Sequence, residues 1–574
     1  MLKRLTVYFH KYCKELIGSI VCVAAEAAFE LIIPLIMADI IDVGVANHDK
    51  EYILAKSAAM IVCALIALFL GILYAHLSAR AGQGFGAELR RAEYQKIQEF
   101  TFSNMDHFST PSLITRLTSD ITIVQNAVCQ GLRPIVRGPV MMILALVMSF
   151  TMSPQLAVVF LVAMPVLAVS LFLILRKLSP LYAVMQRALD HVNSIVQENL
   201  TAIRTVKAYV KGDSEYKKFS KVNQSFRESS EQSFHYAVLN APCFQFIMYA
   251  TIICILWFGG NLINNGSMKV GELTGFLSYV LQILNSLMMI SNVFLMISRS
   301  MTSVERIFEV LDEPSEIEDG LGSCQVERGE IDFENVSFKY QQSAEEYVLS
   351  NISLHIDAGQ TVGIIGGTGA AKSSLVQLIP RLYDVSEGSL KIDGHDVREY
   401  SLAHLRDEVG MVLQKNILFS GTIRENLKWG NEDATDEDLD WACRIACADE
   451  FISRIPEGYD MDLGQGGVNI SGGQKQRLCI ARVLLKRPHV LIFDDSTSAV
   501  DTATEAKIRE GLAEELNDTT KIFITQRVGS IKDADQIVVL DDGKITDVGT
   551  HDVLIKKSAI YRDIYELQKE GVMV

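Results

Sequence analysis

The chain has 574 residues, too many for one ordinary domain, and is 49% hydrophobic with only 21% charged residues. Its mean hydropathy is positive, which disfavours a simple soluble enzyme and points to an integral membrane protein carrying soluble domains. The net charge of -16 argues against nucleic acid as a partner, because phosphate backbones call for a basic face.

Long apolar windows fill the first half, near residues 15–43, 56–79, 134–152, 155–176, 240–263 and 273–298. A bilayer core of about 30 Å takes roughly 20 helical residues, and most of the windows meet that length. The pair spanning 134–176 is split only by "TMSPQ", which predicts a tight hairpin of two helices. The first window carries Glu26 and Glu30 and has no convincing small-residue cleavage site. It is expected to stay as a membrane helix rather than leave as a signal peptide.

The short connections carry little positive charge, whereas the long ones near 80–133 and 177–239 hold several arginines and lysines. The positive-inside preference places the long connections, both termini and the second half in the cytoplasm of a multi-pass protein in the cell membrane. Those connections are also helix-forming and polar, so the membrane helices are expected to continue well beyond the bilayer. Glu26 and Glu30 lie one turn apart and share a helix face. They could hold a cation or a cationic substrate, or face a water-filled cavity, or pair with Arg80 or another cation. Met288, Met289 and Met296 could line an adaptable pocket, or simply pack.

The ten cysteines are scattered. Cys443 and Cys447 sit one helical turn apart, but no second pair or adjacent histidine completes a zinc site, so buried reduced thiols are expected.

From about residue 300 the composition changes. The charged run "SRSMTSVERIFEVLDEPSEIEDG" ends the apolar half. The boundaries read as a transmembrane domain over 1–313, a linker over 314–327 and a soluble domain over 328–574. In the last part, strand-like runs such as "VGIIG" and "HVLIFD" alternate with helical ones such as "KSSLVQLIPRLY", which predicts an α/β domain with a largely parallel sheet.

The stretch "GIIGGTGAAKSSL", 363–375, follows a strand and opens a helix. The pattern G-x-x-x-x-G-K-[ST] wraps backbone N–H groups around phosphates, adds a lysine and offers a hydroxyl to Mg²⁺. Gly366, Lys372 and Ser373 match it, and Ala371 replaces the second glycine. The loop positions are therefore Gly366, Gly367, Thr368, Gly369, Ala370, Ala371, Lys372, Ser373 and Ser374.

Farther on, "NISGGQKQRLCIARVLLKRPHVLIFDDSTSAVD", 469–501, resembles the signature and Walker B strand of ATP-binding cassettes. With the six apolar windows before it, nearly the whole chain resembles an ABC exporter half-transporter of the multidrug type. "HFSTPSLITRLTSDITIVQ" and "ENLTAIRTVKAY" also resemble that family's cytoplasmic helix extensions. The resemblance implies an all-α six-helix transmembrane domain followed by an α/β P-loop cassette, with ATP and Mg²⁺ as cofactors. It implies that Tyr340 stacks on adenine, Lys372 meets the β- and γ-phosphates, and Ser373, Gln414 and Asp494 serve the metal. It also implies that Ser471, Gly472, Gly473 and Gln474, the signature, close over ATP held by an opposite cassette.

Several positions depart from the family pattern. Asp495 stands where a glutamate usually polarises the attacking water, and one methylene fewer sets its carboxylate back by about 1.5 Å. Gln526 stands in place of the switch histidine and carries no positive charge. Gln465 replaces a common glutamate before the signature, and Ala370 and Ala371 replace serine and glycine. An alanine at 371 is strained if the backbone there needs positive φ.

Asp495 and Gln526 fall on the groups that handle water and γ-phosphate, while the signature is intact. The expected protein is one half of a heterodimeric exporter whose own site grips ATP and hydrolyses it poorly. Its partners would be a homologous half-transporter chain, the lipid bilayer and a small amphipathic substrate. The alternatives are a homodimeric exporter with slow ATPase, or an ATP-gated channel or regulatory subunit.

Overall fold

The computed structural model describes residues 2–320, 322, 324–341, 344–495 and 500–569. They divide into two compact units, Met1–Gln98 with Pro111–Asp312, and Glu99–Thr110 with Glu313–Val574.

The first unit is helical. Its main helices are α1 (Cys13–Asp39), α2 (Lys50–Gln98), α3 (Ile121–Met152), α4 (Pro154–Thr201), α5 (Gly212–Val238), α6 (Asn240–Asn264) and α7 (Val270–Asp312). Among the described residues, six helical segments are long and apolar enough to cross a membrane: Arg4–Val45, Lys50–Gln98, Thr110–Met152, Pro154–Thr201, Gly212–Asn264 and Val270–Ile290. At about 1.5 Å per residue, α2 and α4 reach roughly 70 Å, more than twice a bilayer core. The break between α3 and α4 is the expected hairpin: Ser153 caps α4, its hydroxyl accepting the Leu156 N–H, and Pro154 follows at the first helical position.

The apolar faces of α1, α3, α4, α6 and α7 meet in one core holding Leu31, Met141, Phe160, Phe276 and Tyr279. The Tyr279 ring is fully buried, and its hydroxyl donates to the Leu31 carbonyl at 2.7 Å, so its own polar atom is not stranded by the packing. Met288 packs against this core. Met296 lies over Gly131, where an added Cβ would come within 2.2 Å of its methyl. Met288 and Met296 thus pack, the second of the two alternatives that the sequence left open.

The second unit contains ten strands: β1 (Ile331–Phe338), β2 (Leu349–Ile356), β3 (Thr361–Ile365), β4 (Glu387–Ile392), β5 (His395–Asp396), β6 (Val409–Val412), β7 (Val490–Asp494), β8 (Thr520–Ile524), β9 (Gln536–Asp541) and β10 (Lys544–Gly549). Six form a sheet in the order β10-β9-β3-β8-β7-β6, parallel except for β10. All five residues of β7 and of β8 are buried, as expected of strands covered on both faces. The other four, in the order β2-β1-β4-β5, pair antiparallel in a separate sheet that the alternation of strand-like and helical runs did not reveal. In β2, buried positions largely alternate with exposed or half-buried ones, so one face of that strand is covered.

The segment Glu99–Thr110 packs within this second unit although it lies between α2 and α3 in sequence. Its short helix Phe102–His107 is closed by a capping box between Thr101 and Asn104. Tyr383 donates to Asp106 Oδ2 at 2.8 Å, and Phe102 meets the Tyr383 ring edge-on at 5.9 Å.

The entry to β1 is held by a single carboxylate. Asp393 accepts the backbone N–H groups of Glu327, Arg328, Gly329 and Glu330 at 2.7 to 3.3 Å. Burial alone would raise the Asp393 carboxyl, but the four donors outweigh it and hold it below its ordinary value. Stability from this clamp is therefore present above the ordinary carboxylate range, near pH 4, and is lost as pH falls through the depressed value. Asp393→Ala, which leaves those donors unpaired, is expected to destabilise the second unit by about 2 kcal/mol or more. The check is the shift in its thermal or urea transition at pH 7, a shift that shrinks on acidification.

Candidate nucleotide site

The site grows from the C-terminal end of β3. Glycine is required at 366, because a Cβ there would come within 2.0 Å of the Leu540 carbonyl oxygen. At Gly367 and Gly369 an added Cβ would meet nothing within 4 Å, so these two glycines leave the inside of the loop open. The loop ends at Ala371 with φ 68° and ψ 25°, the left-handed region, and α8 (Lys372–Gln377) starts from it. Alanine in that conformation costs about 1–2 kcal/mol relative to its preferred regions. The strain foreseen for a methyl at 371 is thus present.

Lys372 Nζ donates to the carbonyls of Gly366 and Gly367 at 2.9 and 2.8 Å, so it folds over its own loop. Burial pushes the Lys372 ammonium down from its ordinary value, against the pull of Asp495 and Asp494. Ser373 Oγ donates to Asp494 Oδ1 at 2.7 Å. Asp494 closes β7 and is buried, which raises its carboxyl, while the Ser373 hydroxyl works the other way. Asp495 follows with φ 45°, a conformation that aspartate tolerates better than most residues. Burial also raises its carboxyl, opposed by Lys372 and by a hydrogen bond from the Gln414 side chain.

These groups line one cavity of about 310 Å³, bounded by Thr368 through Ser374, Gln414, Asp494, Asp495 and Gln526. Gln526 lies on its rim, exposed, with its carbonyl accepting from Gln568 at 2.6 Å. The fold therefore gathers residues from four separate stretches of sequence into one place.

Besides Gly366 and Gly367, two sets of expected residues lie outside that lining. Tyr340 is 40% exposed; its hydroxyl shares a hydrogen bond with Ser374 Oγ at 2.8 Å, and its ring stands edge-on to Tyr383 at 5.1 Å. Tyr383, which links Tyr340 to Asp106, carried no motif by which sequence reading could have found it. Ser471 and Gln474 form a capping box at the start of α9 (Gly472–Leu484): the Ser471 hydroxyl accepts the Gln474 N–H at 3.3 Å, and the Gln474 side chain accepts the Ser471 N–H at 2.8 Å. None of Ser471, Gly472, Gly473 and Gln474 borders the cavity beside Lys372, and Gly472 is open to approach. Gln465 sits in an exposed short turn before them.

The charges of the first unit form a second constellation. Glu26 on α1 accepts from Arg133 and, at 3.3 Å, from Arg137; Arg137 also pairs with Glu30. Of the alternatives open for these glutamates, pairing with a cation is realised, by two arginines of α3 rather than by Arg80.

Known proteins carry the same organisation. The family model described as ABC transporter transmembrane region matches residues 16–287, and the one described as ABC transporter matches 349–498. An uncharacterised ABC transporter ATP-binding protein of Bacillus subtilis, YfiB, is 39% identical over 556 residues, 96% of each chain. The chain belongs to the ABC transporters. It is an ATP-driven exporter with its membrane and ATPase domains in one polypeptide. A Staphylococcus aureus protein provisionally named for multidrug export is 31% identical to this exporter over 578 residues, covering 99% of this chain and all of that one. The solved structure of a bacterial Atm1-family ABC exporter with ATP bound superposes with a TM-score of 0.82 at 25% identity, covering 97% of this chain and 98% of that one.

Membership implies ATP as the nucleotide, and the open loop with Lys372 suits its phosphates. Replacing Ala371 by glycine is expected to stabilise the exporter's cassette by up to about 1 kcal/mol, whereas valine, strained further, lowers stability. Thermal melting of the purified protein reads both. Lys372→Ala is expected to weaken binding of a fluorescent ATP analogue at least tenfold, by loss of a charged phosphate donor worth roughly 1.5–3 kcal/mol.

Proposed function

We propose that this exporter chain is the ATP-gripping half of a heterodimer, exporting amphipathic compounds with a homologous partner. The observation that carries the reading is the position of Asp495. Its carboxyl borders the phosphate-loop cavity, bonded to Gln414, where a water-activating glutamate would stand one methylene farther forward. Gln526 on the same rim offers an amide where a cationic imidazole would assist. The two departures thus occupy the same cavity as Lys372, which retains its place.

The donor set also suits a metal. The Ser373 hydroxyl and the Asp494 carboxylate already converge at 2.7 Å, with the Gln414 side chain bordering the same cavity, an all-oxygen set of the kind that holds Mg²⁺. Bound there with ATP, Mg²⁺ would neutralise phosphate charge. The protein's own part is to hold the phosphates through the loop and Lys372, and to orient water weakly through Asp495.

The signature supports a partner. Its four residues are exposed or half-buried, satisfied by their own capping box and away from this chain's loop. They are free to cover nucleotide on a second cassette. The helical tip of the membrane unit supports assembly too: Leu200, Tyr209, Val210 and Tyr216 are exposed apolar or aromatic side chains around the polar turn between α4 and α5. The S. aureus relative's name supports multidrug export, and the charge pattern of the loops supports a cytoplasmic cassette.

The test is ATP turnover. The chain purified alone is expected to hydrolyse slowly, and Asp495→Glu with Gln526→His to raise its rate tenfold or more, toward the roughly 10²–10⁴ that general acid–base catalysis supplies. With the partner present, Gly472→Glu in this chain is expected to abolish most of the activity, because it blocks the partner's site. Brisk turnover by the unmodified chain alone sinks the reading and favours a homodimer.

A further inference from the structure

The charged constellation on α1 and α3 does not close on itself. Glu26 is 3% exposed. Its Oε1 takes both arginines, while its Oε2 is buried and accepts no hydrogen bond among the described residues. A buried acceptor left unmade is costly and calls for an explanation. Beside it lies a cavity of about 470 Å³ that Glu26, Glu30 and Arg133 border together with apolar side chains, Leu68 and Ile72 among them. Arg137 does not border it. Arg133 and Arg137 together balance the two carboxylates, so what the constellation leaves open is one acceptor, Glu26 Oε2, rather than a net charge.

Gly71 of α2 packs beside the carboxylate. It also borders the cavity, and a Cβ added there would lie 3.4 Å from Glu26 Oε1 and 3.9 Å from Oε2. Any larger residue would cover that side of the acid. Arg133 is the part that can yield: its side chain is long and 42% exposed, against 5% for Glu26, and its buried Nε has no hydrogen-bond partner among the described residues. Leu68 and Ile72, one turn apart on α2 and bordering the same cavity, are largely exposed and supply an apolar wall.

We propose that this cavity is a binding subsite for an amphiphile with one protonated amine head. The ammonium donates to Glu26 Oε2 and lies near Glu30, Arg133 swings partly aside, and the apolar body runs along Leu68 and Ile72. An ionisable group in a membrane helix is retained for function far more readily than for stability, and a cation completes this one. The proposal names the substrate class within the exporter reading and rests on that reading.

The test uses the full-length chain in nanodiscs, with its partner where the two copurify, and no nucleotide. The probe is dansylcadaverine, a fluorescent primary amine, compared with its N-acetyl derivative, which is neutral. The amine is expected to bind at least tenfold tighter than the acetylated form, the effect of one charge-assisted hydrogen bond. Glu26→Gln is expected to erase that preference. Because it also leaves Arg133 unpaired and could impair folding, Gly71→Ala serves beside it: it keeps every charge, covers the acid with one methyl, and is expected to weaken amine binding about tenfold. Size-exclusion profile and melting temperature verify that each variant is folded. Equal binding of amine and acetylated probe, or amine binding indifferent to Gly71→Ala, overturns the proposal. So does tighter binding of dansyl-lysine, whose added carboxylate would assign a zwitterion. Nucleotide is absent throughout, so a failed division of ATP hydrolysis between two chains leaves this measurement untouched and appears only in the turnover assay.

Discussion

The hydrogen bond between Ser373 and Asp494 is the point on which the cassette's chemistry turns. Ser373 follows β3 and Asp494 ends β7, and the two strands are separated by β8 alone. Parallel pairing aligns them: Ile364 of β3 and Asp494 of β7 both sit opposite Ile524 of β8. The chain leaves all three strands at the same level and on the same edge of the sheet. Gln526, two residues past Ile524, must therefore emerge between the loop and the acid pair. Ligands gather outside the carboxyl ends of parallel strands for this reason.

Charge within that edge is arranged around Lys372. A buried carboxyl and a half-buried one face a half-buried ammonium, and desolvation works against the charged form of each, raising the acids and lowering the lysine. The departures from the family pattern do not disturb this arrangement, since aspartate at 495 keeps the sign of the charge and glutamine at 526 keeps a hydrogen-bonding group. What they change is reach and protonation, the properties that matter for moving a proton rather than for holding phosphate. The backbone strain at Ala371 belongs to the same picture: it disfavours the loop a little without removing a donor.

The membrane unit places polar groups by another rule. In hydrocarbon a charge needs a partner inside the protein, so the glutamates of α1 face the arginines of α3. Both pairs are spaced one helical turn apart, which lets two helices meet through matched rungs. The fit is incomplete at one buried oxygen of Glu26 and at Arg133 Nε, and Gly71 of α2 packs beside that carboxylate.

Much of this was legible in residue order because it is local. Apolar windows, the glycine-lysine-serine loop and the signature run each depend on neighbours a few positions away, and the long helices, the strand-to-helix loop and the helix start they call for are present. Nothing local could show that Arg133 and Arg137 answer glutamates 107 positions distant, that a separate antiparallel sheet flanks the parallel one, or that Glu99–Thr110 packs with the second unit. Nor could it show Tyr383 bridging Tyr340 and Asp106. Residue types alone determined which groups could bind phosphate, metal or lipid, because that chemistry resides in single side chains and short spacings. Tertiary structure decided which of them meet, because strand order and helix packing join residues whose separation along the chain carries no trace of the contact.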